Sequence, residues 1–288
     1  MNDSSAASAV LRYAAFTADP NGGNPAGVVL DATGLDGASQ LAVAADLGYS
    51  ETAFLTPAAG GDRHFAVRYF SPKAEVPFCG HATVAAAVAL GERIGAGELL
   101  FETKAGPVPV LVEAGPGEVL TATLTSVEPH TEAVAPEQLA EALAALRWQE
   151  SELDPALPPR IAYAGARHLV LAAATRARLA DLSYAFDRLA ALMTELDLTT
   201  LQLVHRESER VFHVRNPFPV GGVVEDPATG AAAAAFGAYL RELDGLESAD
   251  LTLHQGEDLG RPGLLRVRLR PGDPRVRVSG TAVAIPLG

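Results

Sequence analysis

The chain has 288 residues, 48% of them hydrophobic and 20% charged, enough for a sizeable core and about two domains, so disorder is excluded as the default reading. A net charge of −13 with no run of Lys or Arg argues against nucleic acid and anionic membrane surfaces, while leaving room for a small anionic substrate in a pocket of its own potential. A single cysteine, an N-terminal stretch without a basic segment and long apolar run, and no unbroken run of about 18 apolar residues point to a reducing, cytoplasmic setting without a membrane span.

In chain order, 13–17 and 28–30 read as strands flanking the turn Asp19-Pro-Asn-Gly-Gly-Asn-Pro25. Residues 38–47 have helical composition and stop at Gly48. Strands are expected at 52–55 and 64–70, a buried Ala-rich helix at 81–94, and strands at 99–103 and 108–112. Gly115, Gly117, Pro129 and Pro136 break up 114–135, which reads as a linker between domains spanning 1–120 and 130–274. Beyond it come a helix at 136–146, a Pro-rich loop at 154–159, and strands at 161–163 and 168–172. A helix at 186–196, strands at 201–204 and 211–214, and a second Ala-rich helix at 228–241 follow. Strands at 251–255, 264–269 and 275–284 close the chain, the last a candidate to pair back with the first domain.

The order of elements recurs, and so does a local pattern. Cys79-Gly-His-Ala-Thr-Val-Ala-Ala-Ala87 resembles Glu225-Asp-Pro-Ala-Thr-Gly-Ala-Ala-Ala233, with Thr83 and Thr229 lying 146 residues apart. This favours an internal duplication, whose two halves would meet at a cleft, a favoured place for ligands. Two helix N-termini there would hold an anion on unpaired N–H groups and partial positive charge; for either helix alone, buried packing is the better reading.

Four side chains carry possible chemistry. Glu51, between a helix and a short apolar strand, would suit acid/base work if burial raised its pKa, although its spacing alone favours a solvated turn glutamate. His81 at a helix start would be held neutral by the helix's positive end, or would simply be a satisfied first-turn histidine. Asp226 before Pro227 reads as an N-cap with proline at the first helical position, which does not exclude contact with substrate. Cys79 before a helix could be a nucleophile or base, but inert packing is favoured. The seven histidines show no His-x-x-x-His, and no cysteine pair exists, so no metal or other cofactor is expected. Phosphate-loop, dinucleotide and nucleophile-elbow motifs are absent.

Five stretches together resemble the PhzF family of phenazine-biosynthesis-type isomerases. They are Phe16-Thr-Ala-Asp-Pro-Asn-Gly-Gly-Asn-Pro-Ala-Gly-Val28, Ser50-Glu-Thr-Ala-Phe54, Arg68-Tyr-Phe-Ser-Pro-Lys-Ala-Glu-Val-Pro-Phe-Cys-Gly-His-Ala-Thr83, Gly222-Val-Val-Glu-Asp-Pro-Ala-Thr-Gly230 and Gln255-Gly-Glu-Asp-Leu-Gly-Arg-Pro262. The resemblance implies an α+β, diaminopimelate-epimerase-like fold: two similar domains, each a curved, mostly antiparallel near-barrel sheet around a central Ala-rich helix. It implies an active site between the domains and a homodimer. It also implies a proton shift on a small carboxylate-bearing metabolite, with Glu51 as acid/base and His81 and Asp226 as further polar groups. Ser50, Gly80, Ala82, Thr83, Thr229, Gly230 and Ala231 would line the substrate. Members acting in phenazine synthesis are similar in carrying a serine where this chain has Ala231, which puts the phenazine substrate itself in question. A racemase of the same fold would need a second cysteine near Pro227, so a two-thiol mechanism is excluded. A racemase with a non-cysteine base and a non-catalytic binding protein remain the alternatives.

Overall fold

The computed structural model describes residues 10–286 and is α+β, with six α-helices among the described residues. Two compact units divide the described residues: Thr125–Ser279 forms one, and 10–124 with 280–286 form the other.

In the first unit, β1 (Leu11–Ala15) and β2 (Asn24–Val29) pair antiparallel. Helix α1 (Gly37–Leu47) starts on Asp36, whose carboxylate accepts from the Ser39 N–H, and stops at Gly48 in the left-handed region. Strand β3 (Glu51–Pro57) then lies parallel to β2 and β4 (His64–Phe70) antiparallel to β3, while the two-residue β5 (Glu75–Val76) folds back on β4. After α2 (Gly80–Ile94), β6 (Gly97–Thr103) pairs parallel with β4, and β7 (Gly106–Ala114) and β8 (Leu120–Thr125) continue antiparallel. Every residue of α2 from His81 to Gly91 is buried. A helix apolar on all sides needs cover on all sides, and here strands provide it.

The second unit holds β9 (His130–Ala133), α3 (Pro136–Leu146), β10 (Arg160–Tyr163), β11 (Arg167–Ala172), α4 (Arg176–Ala180), α5 (Phe186–Glu195), β12 (Thr200–Arg206) and β13 (Val211–Pro217). Next come β14 (Glu225–Asp226), α6 (Gly230–Asp244), β15 (Ala249–Gln255), β16 (Gly263–Arg270) and β17 (Asp273–Ala284), the last of which passes into the first unit from Gly280. The pairing senses from β10 to β16 repeat those from β1 to β7 step by step, including both parallel pairs. Helix α6 is buried through most of its length, and its small residues permit close packing: a Cβ on Gly237 would come 2.6 Å from Val267 Cγ1. The far end of β17 pairs with β1, and β17 also pairs with β8, so β1, β2, β3, β4, β6, β7, β8 and β17 form a closed eight-strand ring.

Two expectations need correction here. The boundary between the units falls within 114–135, after Leu124, but the stretch carries β8 and β9, and its glycines and prolines mark turns between strands. The internal match is also out of register. Glu75 and Glu225 occupy the equivalent two-residue strands, and Cys79 and Thr229 are the equivalent N-caps, so Gly80 matches Gly230 and His81 matches Ala231. Thr83 and Thr229 are therefore not equivalent. Runs of alanine let the sequence match slide by a helical turn without loss of similarity.

Within the second unit, His168 of β11 is fully buried opposite Thr200 of β12, its Nδ1 2.9 Å from Thr200 Oγ1. The Asn216 amide donates to Thr200 Oγ1, Leu201 O and Gln202 Oε1 at 2.8–3.0 Å. Burial pulls the His168 imidazole down from 6.5 to about 4. The unfolded chain then takes up the proton more readily than the folded one, so this stability is full above about pH 6.5 and is lost as pH falls toward 4. The loss reaches roughly 3 kcal/mol at most, from 1.36 kcal/mol per pKa unit. Urea melts at pH 7 and 4.5 should show a larger acid-induced loss in wild type than in His168→Gln; equal losses would remove His168 from the account.

Candidate active site

Glu51 is the first residue of β3, placed beside Ala26 of β2 by the chain reversal after α1. Cys79 is the N-cap of α2, and His81 sits in its first turn. The fold brings all three together. His81 Nε2 lies 3.5 Å from Glu51 Oε2 and 3.3 Å from Ser50 Oγ. His81 Nδ1 lies 3.3 Å from Cys79 Sγ and 3.2 Å from Asn24 Nδ2. With the Asn24 amide N–H turned to Nδ1, that nitrogen accepts, and the neutral ring carries its proton on Nε2, facing Glu51 and Ser50.

The Glu51 side chain is 16% exposed, against 6% for His81, so the carboxyl is largely dry yet reachable. Burial pushes the Glu51 carboxyl above the usual range, partly offset by hydrogen bonds with Ser50 and the Cys79 thiol. A carboxyl so raised both takes and gives protons more readily near neutral pH. Thr83 is fully buried: its hydroxyl donates to Cys79 O at 2.6 Å and meets the Tyr69 hydroxyl at 2.6 Å, fixing the turn that carries Cys79. Gly80 and Ala82 flank His81 in the same first turn.

In the second unit, Asp226 lies in β14 opposite Asn216 of β13, and its Oδ2 accepts from Thr229 Oγ1 at 2.5 Å. It is not the N-cap of α6, as its Asp-Pro sequence suggested; Thr229 is, with Gly230 and Ala231 opening the helix. The strand claims Asp226, and Gln255 holds the turn instead. Gln255 Oε1 accepts from the Thr229 N–H at 2.9 Å, while Nε2 donates to Asp226 O at 2.8 Å and Thr229 Oγ1 at 3.1 Å. The second unit thus repeats the frame of the first without its chemistry. Thr200 opens the strand equivalent to that of Glu51, Thr229 stands at the place of Cys79, and Ala231 at that of His81. The residue equivalent to Cys79 is Thr229 rather than one beside Pro227, and it carries no thiol.

Asn24, Tyr69 and Gln255 support these groups, and sequence reasoning did not single them out. Their signal lay inside quoted stretches, where Asn24 follows a Gly-Gly turn and Gln255 precedes Gly256. That glycine has φ +80, and a Cβ on it would sit 2.3 Å from Arg261 O and 2.8 Å from Pro227 O. Gly256→Ala should therefore cost roughly 1–3 kcal/mol through strain and backbone clash. A urea midpoint equal to wild type would refute this.

A buried Ala-rich helix packed against a closed ring of strands is an epimerase-type α+β fold. Residues 13–288 match PhzC-PhzF, the phenazine biosynthesis-like proteins, and the chain belongs to that family. It is 33% identical to the uncharacterized isomerase YddE of Escherichia coli K12, over 96% of each chain. It is 31% identical to the trans-2,3-dihydro-3-hydroxyanthranilate isomerase of Pseudomonas aeruginosa, over 95% of this chain and 96% of that one. A PhzF-family phenazine biosynthesis protein from Bacillus anthracis superposes with a TM-score of 0.86 at 28% identity, over 96% of each chain. No helix among the described residues is long and apolar enough to cross a membrane.

Proposed function

We propose that this chain is a cofactor-independent isomerase that shifts a proton between two carbons of a small carboxylate-bearing metabolite, with Glu51 as the acid/base. The observation carrying this is the burial of the Glu51 carboxyl, raised in pKa and set 3.5 Å from the His81 imidazole at the start of α2. Glu51 as the carboxylate removes the proton from one carbon, holds it as the carboxylic acid while the carbanion exists, and returns it to another carbon; Nε2–H of His81 is placed to donate to the carboxylate before abstraction and after return. Family membership and the isomerase names of the relatives support the reaction class. Asp226, Thr229, Gly230 and Ala231 join the proposed substrate contacts through the family resemblance. We read the two units as copies of one domain in which only the first retained the acid/base groups, as Thr200 and Ala231 illustrate.

The reading is tested in D₂O. Trans-2,3-dihydro-3-hydroxyanthranilate is the first candidate because a relative is named for it; other small unsaturated or α-acidic carboxylates follow. Wild type should catalyse deuterium incorporation, and Glu51→Gln should not. Undiminished exchange by Glu51→Gln would rule out this base, and ligand binding without exchange would favour a non-catalytic binding protein.

A further inference from the structure

We propose that Glu51, Cys79 and His81 form a binding site for a zinc ion, and that zinc bound there blocks the proton shift. Among the described residues these are the one set of three such side chains whose ligand atoms gather closely, all within 4.8 Å of one another. They supply one carboxylate oxygen, one sulfur and one imidazole nitrogen, a donor set that suits zinc. One edge matches the ion's geometry and the others lie near it, all within 4.8 Å. With zinc bonds of about 2.0–2.3 Å, a tetrahedron has edges of about 3.4–3.6 Å between donor atoms. His81 Nε2 already lies 3.5 Å from Glu51 Oε2 and 3.8 Å from Cys79 Sγ. Small side-chain rotations would close the third edge. Three protein ligands leave the fourth position open to water or to a substrate carboxylate.

The sequence hid this set because 28 residues separate Glu51 from Cys79 and no spacing motif joins them. The surface cluster around His213 does not offer the same geometry. His213 meets Glu207 at 2.6 Å and Glu257 at 2.8 Å through opposite ring nitrogens, so the two acids cannot share one ion with a single imidazole nitrogen.

Binding replaces water on the hydrated ion with Zn–S, Zn–N and Zn–O bonds and breaks the thiol S–H, releasing the displaced water and that proton to solvent, together with the Glu51 proton where that carboxyl is protonated. Nε2 must give its lone pair to the metal, so the ring proton moves to Nδ1. Asn24 then meets it with its amide oxygen, after a half-turn of the amide group, and orients the ring as an outer partner. The ion takes the Glu51 oxygen that faces His81, and its positive charge lowers the basicity of the whole carboxylate, so occupancy suppresses turnover. Zinc acts here as an inhibitor of the proposed isomerase, not as its cofactor.

The test uses the full chain, stripped of metal with a chelator, and needs no turnover, so it stands or falls apart from the isomerase reading. Cobalt(II) is added as an optical stand-in and zinc alone is titrated calorimetrically. Because Cys79 is the sole cysteine, a thiolate-to-cobalt charge-transfer band can come from no other residue. We expect one ion per chain with that band, and zinc displacing the cobalt. Cys79→Ser should abolish the band and weaken zinc binding by more than the 10–100-fold that loss of an outer partner costs. Glu51→Gln should keep the band while weakening zinc. Cobalt binding without the band, or equal zinc affinity in wild type and Cys79→Ser, would overturn the site and move the ion to surface groups. The wild-type spectrum decides even if Cys79→Ser fails to fold.

Discussion

Arg215→Met is expected to cost about 3–5 kcal/mol of stability, because it leaves a buried carboxylate without its partner. The Arg215 guanidinium reaches Glu225 Oε1 through Nε at 2.9 Å and Oε2 through a terminal nitrogen at 2.5 Å, and its other terminal nitrogen donates to Ala180 O at 2.7 Å. The side chains are 9% and 1% exposed. The first unit makes the same two-pronged contact between Arg68 and Glu75, at 2.8 Å on both prongs, with side chains 42% and 14% exposed. Arg68 and Lys104 hold Glu75 down at about 2, but water screens much of that gain, so Arg68→Met should cost only about 0–1 kcal/mol. Denaturant melts of both variants give the comparison: a lower midpoint at unchanged slope for Arg215→Met, and little change for Arg68→Met. Adding Glu225→Leu to Arg215→Met should restore much of the loss, because it removes the stranded charge. Equal losses at the two sites would show that burial is not what sets the cost. The pair also matters to position, since β14 carries Asp226 and leads into α6.

How much of this was legible depended on whether the signal was local. Helix α3 has the predicted bounds because Pro136 fixes its first residue, and α1 ends at Gly48 as read. The two Ala-rich helices were legible as buried because they are apolar all round. Helix α4, five residues long, was missed, since so short a helix has no periodicity to read. Local chemistry also pointed the wrong way at Asp226: the Asp-Pro pair imitates an N-cap, but the N-cap is Thr229, which makes no capping hydrogen bond with its side chain, and Gln255 of β15 holds the turn before it. The equivalence of the two halves was visible, but not its register, which only strand pairing sets: Glu75 with Glu225, Cys79 with Thr229. For Glu51, spacing alone favoured a solvated turn. Its contacts with Cys79 and His81 form only in the folded chain, and no local pattern encodes them.

Glu51→Gln should lower the rate of proton exchange with any accepted substrate by about 10²–10⁴-fold, the range for loss of a positioned general acid/base. At 1.36 kcal/mol per factor of ten, that is roughly 3–5 kcal/mol of barrier. The amide keeps the size of the side chain and its contacts with Ser50 and His81, so the loss should fall on kcat with KM little changed. Glu51→Asp separates chemistry from position. It keeps a carboxyl but withdraws it by one methylene, and a displacement of about 1 Å at a reacting group costs on the order of 10²-fold. The expected order of rates is therefore wild type, Glu51→Asp, Glu51→Gln. Measuring deuterium incorporation together with thermal melts distinguishes this from misfolding, because neither variant removes a core contact. If Glu51→Gln retains more activity than Glu51→Asp, the side chain acts by filling space or holding His81, and the proton must pass through another group.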